Sequence, residues 1–403
     1  MHMFSGRRIF LAVTAAAALF LTGCTAASPT PAATTAAVAT PAACTVTPIA
    51  DLVPSSGSLF GVNLDWGSLT LKNYSAQLGH RPAVAVSFTD LPFTAADRTN
   101  VFAAAEQVRG NGGALLLTLE PRSGLATVTP AVVADLAAVL TKVNKEGVPV
   151  IVRFAHEMNG SWYAWGEQPT LYVATFRRVA LAIHAATPGT AMMWAPNYGG
   201  GYPFVGGKYQ AKKGTADFRA LDTNHDGRVN GSDDPYAPYY PGDDVVDWVG
   251  MSLYHWGAKP PWGANTMPEP GKFAAQLTGT YDGTAGDDRA VPNFYQVYGV
   301  THDKPVAISE TAALVSTDSG VTAEKAFLIK QAWWRQVFAP STASEFPRLK
   351  MINWFEWDKY EVEVRHRVDW EVTTDPVQRA LFTASLPSWL HYASAPKPCT
   401  PRR

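Results

Sequence analysis

Apolar positions along the chain fall into two alternating rhythms. Short unbroken runs read as buried strands: Leu59–Leu64, Ala83–Phe88, Ala114–Leu119, Val150–Phe154, Ala191–Ala195, Val245–Leu253, Val306–Ser309 and Lys350–Asn353. Between them, apolar residues at helical spacing predict helices over Asp97–Arg109, Pro130–Lys145, Leu171–Ala185, Thr322–Val337 and Pro376–Ala384. Pro130 stands near a helix start, where its missing N–H costs nothing. Eight strands, most followed by a helix, predict an α/β fold, a (β/α)8 TIM barrel. The competing doubly wound sheet would need a Gly-rich phosphate loop after the first strand, and none is there. Two long loops break the alternation, Gly199–Gly242 after strand five and Gly257–Gly299 after strand six, the second with a short helix near Phe273–Leu277. Loops of this length shape clefts.

A barrel gathers its chemistry at the C-terminal strand ends. Those ends carry Trp66, Glu120, Glu157, Asn197, Tyr254, Glu310 and Trp354, whereas the strand starts are bland. The stretch PVIVRFAHEMNGSWYAWG, Pro149–Gly166, runs from a strand to His156-Glu157 and opens into a loop with Asn159, Trp162 and Trp165. The stretch KPVAISETA, Lys304–Ala312, ends a second strand at Glu310. Two carboxylates on opposite strands suit cleavage of a glycosidic bond, which needs one acid for the leaving oxygen and one carboxylate across the anomeric carbon. A gap of about 5–5.5 Å gives retention and roughly 6.5–9.5 Å inversion. Glu157, beside Met158 and Trp162, is the expected acid/base, because desolvation raises a carboxyl pKa. Glu310 is the expected nucleophile, held ionised by nearby donors, Tyr254 foremost. A zinc-protease reading of His156-Glu157 fails because Gly160 stands where the second His is required. No Gly-x-Ser-x-Gly elbow occurs either.

Composition adds the substrate's character. Charged residues are 17% of the chain, the formal net charge is -1, and no basic cluster marks a nucleic-acid partner. The 13 Trp and 15 Tyr instead suggest stacking surfaces for apolar sugar faces, with Trp66, Trp162, Trp165, Trp256 and Trp262 as candidates. Rings spread over several loops imply several subsites, an endo-acting cleft and a polysaccharide substrate; a loop blocking one end would make it exo-acting. A monomer is expected.

The N-terminus reads as an address. Residues 1–23 combine Arg7-Arg8, an apolar run from Ile9 to Leu21 and Leu21-Thr22-Gly23-Cys24, which resembles a bacterial lipoprotein signal. Cys24 would then be lipidated and hold the protein, by the lipid alone, at the outer face of the cytoplasmic membrane; a plain secretory signal is the alternative. Residues 24–43, rich in Ala, Thr and Pro, form a linker, and 44–403 the catalytic domain. Export permits a disulfide between Cys44 and Cys399, with two free thiols as the alternative. Inside the first long loop, 222–233 has calcium-loop spacing. Its oxygen donors are Asp222, Asn224, Asp226, the Arg228 carbonyl, Asn230 and Asp233, with Gly227 at the sharp turn. A structural Ca²⁺ is expected there; no cofactor is expected for catalysis, and a metal-free Asp/Asn/Gly turn is the alternative.

The segment HEMNGSWYAWG with the later ISETA resembles glycoside hydrolase family 26, within the clan of retaining (β/α)8 glycosidases. The resemblance implies endo-β-1,4-mannanase activity on mannan or glucomannan, with mixed-linkage β-1,3-1,4-glucanase or β-1,3-xylanase as the family's other activities. It also implies that Glu157 is the acid/base, Glu310 the nucleophile and His156 an organiser of hydrogen bonds. Tyr254 would hold the nucleophile, and Trp354 would lie under the sugar being cleaved. His255 and Trp256 in SLYHWG, and the length of the first loop, depart from the mannanase pattern. A non-catalytic carbohydrate-binding lipoprotein is the rival from another class.

Overall fold

The computed structural model describes residues 42–258, 262–283, 291–396 and 398–400. The signal 1–23, the candidate lipidation residue Cys24 and most of the linker lie outside the described residues. Eight parallel strands run in sequence order: β1 Ser58–Leu64, β2 Val84–Asp90, β3 Ala114–Glu120, β4 Val150–Phe154, β5 Thr190–Trp194, β6 Trp248–Ser252, β7 Val306–Thr311 and β8 Leu349–Glu356. β8 pairs back onto β1, from Leu59 opposite Met351 to Leu64 opposite Glu356, so the sheet closes. This is the expected (β/α)8 barrel.

The helices are α1 Leu71–Leu78, α2 Ala95–Asn111, α3 Pro130–Lys145, α4 Pro169–Ala186, α5 Ala216–Leu221, α6 Lys272–Leu277, α7 Ala323–Val337, α8 Thr342–Glu345 and α9 Pro376–Ser385. Several starts are written locally. Thr94 and Asp97 form a reciprocal capping box on α2, Thr129 caps α3 ahead of Pro130, and Asp375 caps α9 ahead of Pro376. Elements that were not expected include α1, α5, α8, a π-helical stretch over Tyr295–Thr301, and a hairpin of β9 Asp358–Glu361 with β10 His366–Asp369. A short strand β11, Leu390–His391, extends the sheet beside β1.

Strand alternation sorts the core into two layers. Val84, Val86, Leu116, Ile151, Met193, Ala307 and Met351 fill the barrel interior, and Ile49, Leu52 and Val53 pack against them. The alternate residues, such as Val150, Val152, Ile308 and Ile352, face the helices. Cys44 and Cys399 form the expected disulfide, Cα atoms 4.9 Å apart across 355 residues of chain. Cys44 N–H also donates to Thr400 O at 2.8 Å.

Candidate active site

Two irregularities at strand ends build the site. On β4, Ile151 lies in the interior and Arg153, two residues on, shares that face. After Phe154 the backbone leaves the strand with positive φ at Ala155 (46°) and Glu157 (53°). Such conformations cost about 1–3 kcal/mol each in non-glycine residues. They are held by Ala155 N–H on Leu119 O and Glu157 N–H on Ala195 O, both at 2.9 Å. On β7, pairing with β6 slips from Met251–Ile308 to Ser252–Glu310, a bulge. Strict alternation would put Glu310 on the outer face with Ile308. The extra residue turns it inward, while Thr311 accepts from Trp333 on α7 at 2.9 Å.

The two carboxylates thus meet. Oxygen atoms of Glu157 and Glu310 and a ring nitrogen of His156 lie within 4.8 Å of one another. Arg153, fully buried, donates to Glu310 Oε1 and, at 2.7 Å, to Ser252 Oγ. The Tyr254 hydroxyl donates to Glu310 Oε2 at 2.5 Å. Glu310 therefore carries charge-assisted bonds on both oxygens. Burial, then the charge of Glu310, pushes Glu157 up to about 7, opposed by Arg153 and by the Trp162 indole N–H that donates to it at 3.2 Å. Trp162 therefore restrains the rise rather than causing it. His156 is buried, which holds its pKa well below the usual imidazole value, so it is neutral.

The pair opens into a cavity of about 800 Å³. Trp162, Asn197, Trp256 and Trp262 line it as expected, together with His156 and Tyr254. Four other candidates do not. Trp66 donates its indole N–H to Val86 O at 2.8 Å and packs on the core. Trp165 is buried, stacks on Tyr163 at 4.4 Å and donates to His156 O. Asn159 is buried in a reciprocal pair with the Asn197 backbone, both bonds 2.8 Å. Trp354 is the clearest correction. Met351 and Asn353 face inward, so Trp354 turns to the helix layer and packs on Phe338 and Phe382. The rings from this end of β8 that reach the cavity are Phe355 and Trp357, joined by Trp370.

Sequence reasoning missed Arg153, which sits inside an apolar run and looks like part of a strand. It also missed Arg122, which pairs with Glu120 at 2.5 Å and Asp90 at 2.7 Å. Burial still pushes Glu120 above the usual carboxylate range. The β9–β10 hairpin brings Lys359 and Glu361 to the cavity as a pair 3.2 Å apart. His255 is buried and holds the loop after β6 by a 2.8 Å bond to Thr266 O; burial lowers it to about 4.

The loop after β5 docks on the β4 loop: Tyr209 N–H reaches Ser161 O and Ala211 N–H reaches Glu167 Oε2. Within it, Asp222 accepts from the N–H groups of Asp226 and Gly227, Asn224 from Asp226, and Asp226 from Arg228. Asp233 accepts from Thr223, Asn224 and Asn230. The donor set is all oxygen, as Ca²⁺ requires. Among the described His, Cys, Asp and Glu side chains, however, only His156, Glu157 and Glu310 bring three ligand atoms within 4.8 Å, so the carboxylates of Asp222, Asp226 and Asp233 would have to draw together around an ion.

A closed parallel barrel with two carboxylates facing each other at its C-terminal mouth is the arrangement of a barrel glycosidase. The family model described as glycosyl hydrolase family 26 matches residues 120–195, from Glu120 through Arg153, His156 and Glu157 to Ala195. The resemblance read from the sequence is borne out to that extent: the segment that carries Arg153, His156 and Glu157 is the segment that matches the family model. Endoglucanase H of Acetivibrio thermocellus is 23% identical over 297 residues, 70% of this chain. The match spans only a quarter (25%) of that relative's length. An endo-β-1,4-mannanase double mutant from Cellulomonas fimi is 18% identical, covers 88% of this chain and 78% of its own, and has a TM-score of 0.53. GH26C from Muricauda sp. MAR_2010_75 is 12% identical over 86% of this chain and 91% of its own, TM-score 0.53. At these identities the two structures attest the fold.

Proposed function

We propose that the chain is a retaining, endo-acting β-glycan hydrolase with mannan or glucomannan as its substrate. The observation that carries this reading is the pair Glu157–Glu310, oxygens within 4.8 Å, in unlike surroundings. That proximity supports direct attack by Glu310 over activation of a water between the two groups. Glu310, ion-paired to Arg153, attacks the anomeric carbon. The glycosidic C–O bond breaks, and its oxygen takes the proton of Glu157, whose elevated pKa keeps it protonated near neutrality. Water, deprotonated by Glu157, then attacks the glycosyl ester, frees Glu310 and returns the proton to Glu157. His156, neutral and edge-on to Phe88 at 5.6 Å, positions Glu157's neighbourhood without adding charge.

Mixed-linkage β-1,3-1,4-glucan is the second substrate reading, favoured by the similarity to an endoglucanase; β-1,3-xylan follows it. A non-catalytic binding protein would have no use for a strained backbone that presents two carboxylates to each other. The reaction is tested by following the first-formed reducing sugar by proton NMR: β-anomer supports the reading, and α-anomer would sink it.

Two accessory readings accompany it. Cys24 would carry a lipid that tethers the domain outside the cytoplasmic membrane, as the signal's ending suggests. A structural Ca²⁺ in 222–233 would stiffen the loop docked on Ser161 and Glu167. Millimolar Ca²⁺ should then raise the Tm, and an Asp226→Ala variant should not respond; equal behaviour of both proteins removes the ion.

A further inference from the structure

The cavity that holds Glu157 and Glu310 is also lined by Trp262, Lys272, Gln276 and Tyr281, all from the loop after β6. The framework here is built. Phe273 and Leu277 bury the apolar face of α6 in the core. Lys272 donates to Gly257 O at 2.9 Å and pairs with Glu269 at 3.2 Å, and its ammonium lies 4.7 Å from the Tyr281 ring centre. Tyr281 in turn donates to Glu269 at 3.0 Å. These bonds fix the helix turn that carries Gln276.

Gln276 stands apart from that framework. It is only 5% exposed, and its buried amide oxygen has no hydrogen-bond partner. A buried acceptor left unpaired costs about 1–3 kcal/mol, so such a group persists where something else completes it. Trp262, by contrast, keeps 39% of its surface open on the same cavity. An amide with both donor and acceptor and an open indole, lining one cavity, is the chemistry of a pyranose site: the amide can bridge neighbouring hydroxyls while the ring takes the apolar C–H face.

We propose that the loop after β6 carries an additional sugar-binding subsite of the cleft, in which Gln276 hydrogen-bonds pyranose hydroxyls and Trp262 stacks on the ring. The proposal rests on the glycan-hydrolase reading. It assigns this loop, with its unusual His255-Trp256 base, to substrate length preference rather than to bond cleavage.

The test uses the full chain, its Gln276→Leu and Trp262→Ala variants, and β-1,4-linked manno- and gluco-oligosaccharides of three to six units. Gln276→Leu removes the unpaired amide, so its Tm should hold or rise. Its KM for the longest oligosaccharide should rise about tenfold, the equivalent of one lost good contact, with kcat within twofold and no change on the shortest. Trp262→Ala, at an exposed position, should show the same length dependence even if Gln276→Leu fails to fold. Equal losses at every length, or none in either variant, overturn the subsite. If the unaltered protein cleaves none of these sugars, the hydrolase reading fails separately. Tryptophan fluorescence titration with the hexasaccharides then reads the subsite alone: binding weakened by Trp262→Ala supports it, and binding that is absent or unchanged in the variant overturns it.

Discussion

Glu157 and Glu310 are chemically alike and differ in what surrounds them. Burial and the negative charge of Glu310 push Glu157 up to about 7. In the proposed mechanism Glu157 must be protonated when the leaving oxygen departs, so turnover should fall as pH rises through about 7. Glu157→Gln should lose at least about 10²-fold on unactivated glycans. The linkage has a definite sign. Glu157's folded pKa lies above its unfolded value of about 4.3, so the folded state holds the proton more tightly and stability drains away as pH rises from there to about 7. A melting series should therefore show Glu157→Gln more stable than the parent at pH 8 and no better at pH 4.

Arg153 is the second residue that decides the site. Buried without exposure, it neutralises Glu310 and aligns it. Arg153→Met should retain the fold, by circular dichroism, and lose about 10²-fold or more in kcat through misplacement of Glu310, the proposed nucleophile. Arg153→Lys should not rescue, because an ammonium cannot bond Glu310 and Ser252 as the guanidinium fork does. The glutamates were legible in the sequence because each closes an apolar run. Arg153 was not, since one charge inside such a run gives no sign of the face it occupies. Trp354 was misread for the related reason that a strand's phase is invisible until its inward residues are known.

Elements decide where those residues point. The β7 bulge and the β4 exit rest on hydrogen bonds between neighbouring strands, which no local pattern encodes. Gly160 shows how tight the exit is: a Cβ there would sit 2.3 Å from the Trp162 ring. Gly160→Ala should displace that indole and its bond to Glu157, lowering kcat several-fold and shifting the alkaline limb, with a small change in Tm. A variant with the parent pH profile would show that Trp162 has no part in tuning the acid. Strands and capped helices were legible in their existence and mostly within a few residues of their bounds. The β9–β10 hairpin and α1 were missed, because a short polar strand or a two-turn helix carries too little periodicity to stand out.

At the scale of the molecule, barrel closure was legible from the count of alternating elements, and the Cys44–Cys399 pairing from the separation of two cysteines at the ends of the folded region. The disulfide ties the start of the domain to its last residues, far in sequence from the carboxylate pair. Cys44→Ser should therefore lower stability by about 2–4 kcal/mol, read as a drop in Tm, while kcat at moderate temperature stays unchanged. A fall in kcat with an unaltered Tm would mean that the ends communicate with the cleft.

The most direct test of the account is product release from glucomannan, galactomannan, mixed-linkage β-glucan and β-1,3-xylan, measured side by side for the chain and its Glu310→Ala variant. The account predicts short oligosaccharides from glucomannan or galactomannan with the parent and none with the variant. Cleavage that survives in Glu310→Ala would contradict it, because Glu310 would then not be the group that attacks the sugar.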